Sequence, residues 1–200
     1  MEMYVLDTSA LSGREDEALS LLTSQRREKA LRLPPGPVRA RSIGAGLLLR
    51  RFFGQAEVRL TPRGKPYVPG GREFSLSHSG DIALIALHDR RVGADAERPR
   101  PVSDDLLRRV LSEEERRWAA QREDGFAFLW TRKEALLKCP GFGIDRPLAA
   151  LQVLPGETPV LEGKAYALHT ARFGEYVLSA AAEDDALFTP RELPLEELLG

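Results

Sequence analysis

Cysteine is nearly absent from this chain, which has a single one, Cys139, in 200 residues. One cysteine excludes an internal disulfide and leaves no cysteine-rich ligand set for a structural zinc ion. Histidine is also scarce, and none of the three histidines, His78, His88 and His169, stands at a zinc-ligand spacing from Cys139. We therefore do not expect a zinc site.

Long apolar runs are missing too, since no stretch approaches the roughly 20 residues that cross a membrane. The first residues lack the basic and apolar stretches of a signal peptide. We expect a cytoplasmic location and no membrane partner. The net charge of -1 comes from 29 basic and 30 acidic residues, so the field of the whole molecule does not favour nucleic acid. We expect no nucleic-acid partner.

The chain does have enough apolar residues to form a core, with 42% hydrophobic and 30% charged residues.

Two segments of the chain also resemble two later segments. Residues 22–27 match residues 111–116, and residues 80–86 match residues 174–180, in the same order and at nearly the same offset. Such self-similarity indicates an internal duplication. We predict an α+β fold of two similar αβ subdomains, residues 1–98 and 99–200, forming a pseudo-dimer with the active site in the cleft between them.

Local signals predict several elements within each half. Thr23 and Ser112 are candidate helix N-caps, and Ser112 with Glu115 forms a capping-box pattern. A second helix is predicted over residues 38–53 in the first half and 126–138 in the second. Alternating strands follow, and a tight reversal at residues 89–91 predicts a β-hairpin over residues 82–97.

Three carboxylates and a lysine suggest phosphoryl chemistry. Asp95 and Glu97 share one face of a predicted strand because side chains alternate along it. Glu134 and Lys138 share one face of a predicted helix because they are four residues apart. Hard oxygen ligands beside an ammonium are typical of a magnesium centre that handles phosphate. Solvated charges at a strand end and an ordinary helical ion pair would explain the same residues.

Two short segments and one basic cluster could bind phosphate. Residues 77–80, Ser-His-Ser-Gly, follow a predicted strand and end with a flexible glycine, although a plain hairpin turn would have the same sequence. In residues 64–66, Gly-Lys-Pro, a single cation stands between two residues that determine the conformation of the backbone. A solvated helix face would also explain the basic residues near the amino terminus, which are Arg26, Arg27, Lys29, Arg39 and Arg41.

Taken in order, these motifs resemble the 4'-phosphopantetheinyl transferase superfamily, in its long, pseudo-dimeric type that serves surfactin synthetase and similar megasynthases. The resemblance spans residues 26–143, and most specifically the segment from Trp130 to Lys138. The motifs that carry it are Gly64-Lys65-Pro66, Ser77-His78-Ser79, Gly93-x-Asp95-x-Glu97, Ser112-x-x-Glu115, Trp130-Thr131-x-Lys133-Glu134-Ala135-x-x-Lys138 and Gly141-x-Gly143.

The resemblance implies roles for named residues. It implies that Mg²⁺ is coordinated by Asp95, Glu97 and Glu134, with Glu134 also the candidate base, and that Glu115 acts near the metal through water. Lys138 would contact the diphosphate of coenzyme A beside the reacting phosphorus. The phosphates or nucleotide would be held by Ser77, His78 and Lys65. The adenosine 3'-phosphate would be bound by Arg26, Lys29 and Arg41.

The activity implied by the resemblance is transfer of the 4'-phosphopantetheine arm from coenzyme A to a serine of an acyl, peptidyl or aryl carrier protein, with release of adenosine 3',5'-bisphosphate. The chain is expected to act as a monomer. Two alternatives use the same residues: a metal-dependent nuclease or phosphodiesterase, and a non-catalytic module that binds coenzyme A or a carrier protein. The near-neutral charge argues against the nuclease.

Overall fold

The computed structural model describes residues 1–143 and 147–200 and shows a mixed α/β fold. The first half consists of β1 (Glu2–Asp7), α1 (Glu15–Leu21), α2 (Ser24–Leu31), α3 (Pro37–Phe53), β2 (Arg59–Leu60), β3 (Pro66–Tyr67), β4 (Glu73–Ser79) and β5 (Ile82–His88). The second half consists of β6 (Val92–Glu97), α4 (Asp104–Val110), α5 (Glu113–Ala119), α6 (Gly125–Lys138), β7 (Val160–Leu161), β8 (Lys164–Ala165), β9 (Ala167–Phe173) and β10 (Tyr176–Ala182). The chain continues with β11 (Pro190–Glu192) and α7 (Leu195–Leu199). Both halves therefore run through a strand, three helices, a short hairpin and a long hairpin.

The strands form two main sheets, and these sheets do not follow the predicted boundary between subdomains 1–98 and 99–200. One has the order β11-β1-β5-β4 and the other has the order β6-β10-β9. β6 lies in the predicted subdomain 1–98 but pairs with β10, and β11 lies in the predicted subdomain 99–200 but pairs with β1. The two predicted subdomains are thus interleaved by strand pairing, and the boundary after residue 98 stays a prediction.

The predicted hairpin over residues 82–97 is wrong. β5 lies between β1 and β4 and is hydrogen-bonded to both, whereas β6 is bonded to β10 in the other sheet. The physical reason is that a strand has only two edges. Both edges of β5 are occupied, so β6 turns away after the reversal at residues 89–91 and finds its partner in the second half.

Serine side chains connect β4 to β6 where the two sheets meet. Residues 75, 77 and 79 share one face of β4 because side chains alternate along a strand. Their hydroxyls accept hydrogen bonds from backbone N–H groups in and just after β6, from Ala94 to Ser75 (3.0 Å), from Ala96 to Ser77 (3.4 Å) and from Arg98 to Ser79 (3.1 Å). This serine seam fixes β6 against the first half through side chains.

The predicted helix starts and ends are confirmed. Thr23 accepts a bond from the backbone N–H of Arg26 and begins α2, and Ser112 forms a complete capping box with Glu115 at the start of α5. α3 and α6 occupy the ranges predicted for the second helix of each half, within one residue at either end.

Three apolar clusters hold the layers together. Alternate residues of β5 point in opposite directions, so Ala83, Ile85 and Leu87 pack against α3 while the other face of the strand meets the second sheet. The cluster between the sheets takes Leu84 from β5, Ala94 from β6 and Leu178 from β10. α6 covers the outer face of the second sheet. The halves therefore share a core, with α3 and α6 on its outer sides.

No helix in the described part of the chain is both long enough and apolar enough to cross a membrane.

Cys139 follows directly after α6 and is fully buried, with its thiol donating to the carbonyl oxygen of Arg91 at 3.3 Å. Burial raises the pKa of this thiol to about 12. Because the thiolate is the reactive form, we expect Cys139 to resist iodoacetamide and disulfide reagents between pH 7 and about 9, and to react readily in denaturant. Mass spectrometry of the labelled chain with and without urea measures this. Rapid labelling of the folded protein would contradict the burial of the thiol.

Candidate active site

Asp95 is the centre of a polar cluster that draws on three elements. Its side chain on β6 is buried, and Oδ1 accepts hydrogen bonds from the Ser77 hydroxyl on β4 and from Lys138 Nζ on α6, each at 2.6 Å. Lys138 Nζ also lies 3.3 Å from the Ser77 hydroxyl and from the Ala94 carbonyl oxygen. The first half therefore supplies Ser77, and the second half supplies Lys138, to one carboxylate.

Glu134 lies one turn before Lys138 on the same face of α6. Its Oε1 atom is buried and has no hydrogen-bond partner. Desolvation raises the pKa of this carboxyl group, the nearby charge of Asp95 raises it further, and Lys138 opposes both effects. An ionised carboxylate oxygen without a donor is costly inside a protein. Glu134 is therefore suited to accept a proton or to bind a cation.

Glu97 lies two residues after Asp95 on the same strand face and is partly buried. Its pKa is raised, first by desolvation and then by the charge of Asp95, while Arg100 lowers it from 3.5 Å away. Asp95 thus interacts electrostatically with both Glu97 and Glu134. Of the three residues that the sequence suggested as ligands, Glu97 and Glu134 therefore each lie close enough to Asp95 for its charge to raise their pKa values.

The donor set fits a hard divalent cation in its chemistry, since it consists of carboxylate oxygens and includes the unpartnered Glu134 Oε1. Within residues 1–143 and 147–200, however, no three histidine, cysteine, aspartate or glutamate side chains already surround a common point in metal-binding geometry. At Asp95, the ammonium of Lys138 occupies Oδ1. A cation would compete with that ion pair.

Gly93 explains how α6 comes so close to β6. A β-carbon at this position would collide with the backbone of α6, at the Ala135 carbonyl oxygen and at Cys139 N. Glycine inside a strand often marks such a close approach of backbones. Gly93 is part of a sequence motif, but the motif alone did not predict this role for it.

A cleft of about 670 Å³ opens beside the cluster. Its polar wall contains the predicted binding residues Arg26, Lys29, Ser77, His78 and Lys138. Its apolar wall contains Ala45, Leu49, Val58, Leu60, Pro66 and Leu76. The lining also includes Gln25, Glu28 and Arg32, so cations outnumber acids in it, and such a cavity is suited to a ligand that carries phosphates and a ring.

Among the basic residues of the cleft, Arg32 pairs with Glu28 and Lys138 with Asp95, whereas Arg26 is held by a backbone carbonyl group. Arg26 is buried and donates to the Ser42 carbonyl oxygen at 2.9 Å, while its Nε atom is buried without a partner. Desolvation lowers the pKa of Arg26, and desolvation followed by the charge of Arg26 lowers that of Lys29. The charge of Arg26 thus lowers the affinity of Lys29 for its proton, and two neighbouring cations of this kind favour binding of an anion.

Arg41 and Lys65 do not line this cleft. Arg41 donates to the Gly80 carbonyl oxygen at 2.7 Å and lines a separate pocket of about 520 Å³ together with Glu97 and Arg98. His78 lies between the two cavities and lines both, and its pKa is lowered by desolvation and then by Arg41. The side chain of Lys65 faces a third, smaller pocket.

Buried polar atoms without partners concentrate on the predicted site residues. In the described residues these atoms are Arg26 Nε, Arg41 Nε, Ser42 Oγ and Glu134 Oε1. Native proteins satisfy nearly all such groups, so each unpaired one needs an explanation. Three of the four belong to residues predicted to bind phosphate or metal, which is the pattern expected when a ligand completes the site.

Glu115 is placed in a different environment from the other acidic residues. It is fully buried, and Oε2 accepts from Lys133 Nζ at 2.6 Å and from the backbone N–H of Ser112 at 2.9 Å. Oε1 accepts from the backbone N–H of Val153 at 3.3 Å. Lys133 completes its three bonds at the Leu148 and Leu151 carbonyl oxygens. These contacts join α5, α6 and the following loop, and they do not support the predicted action of Glu115 through water.

We expect Glu115→Gln to lower the free energy of unfolding by about 3–5 kcal/mol, because it leaves the Lys133 ammonium buried without its counter-charge. The double variant Glu115→Gln/Lys133→Met removes both charges and should lose less. Urea denaturation of the two variants measures the difference. A double variant that is less stable than Glu115→Gln alone would show that the pair is not an isolated buried ion pair.

Gly93→Ala should push α6 away from β6 and separate Lys138 from Asp95. We expect the transfer activity implied by the resemblance to fall at least tenfold, together with a loss of stability of about 1–3 kcal/mol from overpacking. Gly46→Ala is the matched control, since its methyl group would meet only the side chain of Leu22. Equal activity losses in the two variants would remove the special role of Gly93.

Comparisons with known proteins identify the family. A family model described as the 4'-phosphopantetheinyl transferase superfamily matches residues 91–182. The 4'-phosphopantetheinyl transferase AcpT of Salmonella typhimurium is 37% identical over 138 residues, covering 64% of this chain and 72% of that protein. The 4'-phosphopantetheinyl transferase Sfp of Bacillus subtilis (strain 168) is 27% identical over 159 residues, covering 72% of this chain and 71% of that protein.

Among solved structures, the holo-[acyl-carrier-protein] synthase of Thermotoga maritima matches with a TM-score of 0.39 and 18% identity, covering 48% of this chain and 63% of that one. The sequence matches decide the family, because the chain covers more than two thirds of a relative to which it is more than 30% identical. The resemblance predicted from the motifs is confirmed, and this chain belongs to the 4'-phosphopantetheinyl transferase superfamily.

Proposed function

We propose that this chain transfers the 4'-phosphopantetheine arm of coenzyme A to a serine hydroxyl of an acyl, peptidyl or aryl carrier protein and releases adenosine 3',5'-bisphosphate. The chain is a 4'-phosphopantetheinyl transferase by its membership of the family. The observation that carries the proposal is that Lys138, which contacts Asp95 and acts on the charge of Glu134, also lines the cleft that contains Arg26 and Lys29.

Coenzyme A would bind in the 670 Å³ cleft. Arg26 and Lys29 would hold the 3'-phosphate, because they are adjacent cations with depressed pKa values and Arg26 Nε has no partner. The apolar wall, with Leu49 and Leu60, suits the adenine ring. His78 and Ser77 continue the polar wall towards Lys138, which places a cation near the diphosphate.

Asp95, Glu97 and Glu134 would hold Mg²⁺, and we propose that the reaction depends on it. When bound, a divalent cation supplies charge neutralisation for the diphosphate of the substrate. The fit rests on three oxygen ligands of one chemical type and on the unpartnered Oε1 of Glu134. Lys138 would then be shared between Asp95 and the substrate phosphates.

The chain would activate the serine through Glu134. Its raised pKa makes it a better base than an exposed glutamate, and the carboxylate oxygen that does not hold Mg²⁺ would accept the proton. The serine oxygen forms a bond to the phosphorus that carries the pantetheine arm, and the bond from that phosphorus to the leaving adenosine bisphosphate breaks. Lys138 stabilises the charge that develops on the departing phosphate.

We further propose that the two halves derive from one duplicated αβ unit. Support comes from their shared order of elements and from the equivalent sheets β1-β5-β4 and β6-β10-β9. In this arrangement the site lies at the seam, with Ser77 from one half and Lys138 from the other. The monomeric state, the cytoplasmic location and the absence of nucleic-acid and membrane partners remain predictions.

Asp95→Asn and Glu134→Gln should each lower transfer at least 100-fold, because each removes a charge and little volume from the reacting centre. The assay is the mass gain of an apo-carrier protein incubated with coenzyme A and Mg²⁺. Glu17→Gln is the control, since Glu17 pairs only with Arg14 on the surface. Circular dichroism checks that each variant is folded.

Wild-type activity in either Asp95→Asn or Glu134→Gln would refute these assignments. Coenzyme A binding by the unaltered protein without any transfer to a panel of carriers would favour the non-catalytic module. Nicking of a plasmid in Mg²⁺ would favour the nuclease.

A further inference from the structure

Lys65 lies in the segment that forms one wall of the cleft, but its side chain points the other way. Gly64 and Pro66 line both the 670 Å³ cleft and an adjoining pocket of about 220 Å³, whereas Lys65 lines the smaller pocket and not the cleft. Only 12% of the Lys65 side chain is exposed. A lysine in this segment therefore turns inward, away from the place where a nucleotide would bind.

The Lys65 ammonium contacts three oxygen acceptors. They are the Cys139 carbonyl oxygen at 2.8 Å, the Val92 carbonyl oxygen at 3.0 Å and Glu73 Oε2 at 3.4 Å. An ammonium group has three N–H donors and no acceptor. All of its hydrogen-bonding capacity is used within the protein, which leaves no donor for a phosphate of coenzyme A.

The two carbonyl groups belong to the elements that carry the reacting pair. Cys139 directly follows Lys138 at the end of α6, and Val92 begins β6 three residues before Asp95. A cation at the carbonyl end of a helix is also favoured by the helix dipole. One ammonium from the first half thus holds both elements of the second half that meet at the site.

The turn after α6 packs onto the stem of Lys65. A β-carbon on Gly141 would lie only 3.1 Å from Lys65 Cβ and 3.3 Å from its Cδ, so Gly141 allows close contact at this point. The backbone of Gly141 has a positive φ of +82°, and its N–H donates to the Lys138 carbonyl oxygen at 3.1 Å. The position of Lys65 is therefore coupled to the backbone of Lys138 from two sides.

We propose that Lys65 is a positioning residue that fixes the Lys138–Asp95 pair relative to the cleft wall, and that it does not bind coenzyme A through its ammonium. It acts by holding the end of α6 and the start of β6 against residues 64–66. Loss of the ammonium should therefore slow the transfer step and leave the affinity for coenzyme A nearly unchanged. The kinetic part of this inference rests on the proposed function.

The experiment compares Lys65→Met, which keeps the length of the side chain and removes its donors, with the unaltered enzyme. We expect kcat for carrier modification to fall at least tenfold, and the Kd of coenzyme A measured by calorimetry without carrier to change less than threefold. Lys65→Arg, which retains donors, should recover part of kcat. Glu73→Gln should keep most activity, because Glu73 is the farthest acceptor and is half exposed.

Leu47→Ala is the control for a purely structural effect, because it removes a fully buried side chain from the apolar cluster between α3 and the first sheet. At temperatures where both variants are folded, Leu47→Ala should keep kcat and Lys65→Met should not. Equal kcat losses, or a Kd for coenzyme A raised tenfold in Lys65→Met with kcat retained, would overturn the proposal.

Hydrogen exchange provides a readout that does not require activity. Amides of residues 138–142 should exchange at least tenfold faster in Lys65→Met than in the unaltered protein, because the end of α6 loses its anchor. Unchanged exchange there would overturn the proposal even if no transfer were observed. If the unaltered enzyme shows no transfer but exchange rises as expected, the proposed function fails and the positioning role stands.

Discussion

The close approach of α6 to β6 at Gly93 is the constraint on which the site depends. Helix backbone rests directly on strand backbone there, with no side chain between them. This contact brings Lys138 Nζ within 2.6 Å of Asp95, although the two residues are 43 positions apart in the chain. It also aligns Glu134, one turn earlier, with the same carboxylate. A larger residue at position 93 would separate the helix from all of these partners.

The pairing of β6 with β10 also determines which elements surround the contact between α6 and β6. Since β6 is bonded to β10 on one edge, its other side faces β4, and serine hydroxyls from β4 complete the junction. Ser77 belongs to this seam and also donates to Asp95. The hydroxyl that helps to join β4 to β6 therefore also contacts the Asp95 carboxylate. A shift between the halves would move Asp95 relative to the cleft.

Local signals in the sequence predicted many of the helices and strands. They did not predict which strands pair with each other. Thr23 and Ser112 marked helix starts because a cap is satisfied by bonds to the next few residues. The hairpin over residues 82–97 was mispredicted because the pairing of β5 depends on β1, which lies some 80 residues away in the sequence. Periodicity identifies a strand, but it does not reveal which edges are already occupied.

The same distinction applies to the site. Residue types at fixed spacing indicated Asp95, Glu97, Glu134 and Lys138, because each pair lies within one element, and the structure then brought the pairs together. Glu115 and Lys65 have suitable charges as well, yet their partners lie in distant parts of the chain. Glu115 pairs with Lys133 and the Val153 amide, and Lys65 donates to the carbonyl groups of Val92 and Cys139. No pattern in the sequence indicates which carbonyl group a lysine will reach.

The charges of the cluster are unbalanced, and this imbalance links the structure to its chemistry. Three carboxylates face one ammonium, Lys138, so two negative charges remain if all are ionised, apart from the exposed Arg100 near Glu97. Lys138 pairs with Asp95, while the pKa values of Glu97 and Glu134 are raised, first by desolvation and then by the charge of Asp95. A divalent cation carries the charge that would restore the balance, and it would release Lys138 to interact with a second anion. A diphosphate supplies that anion, so metal and substrate would stabilise each other's binding at a site that is electrostatically incomplete without them.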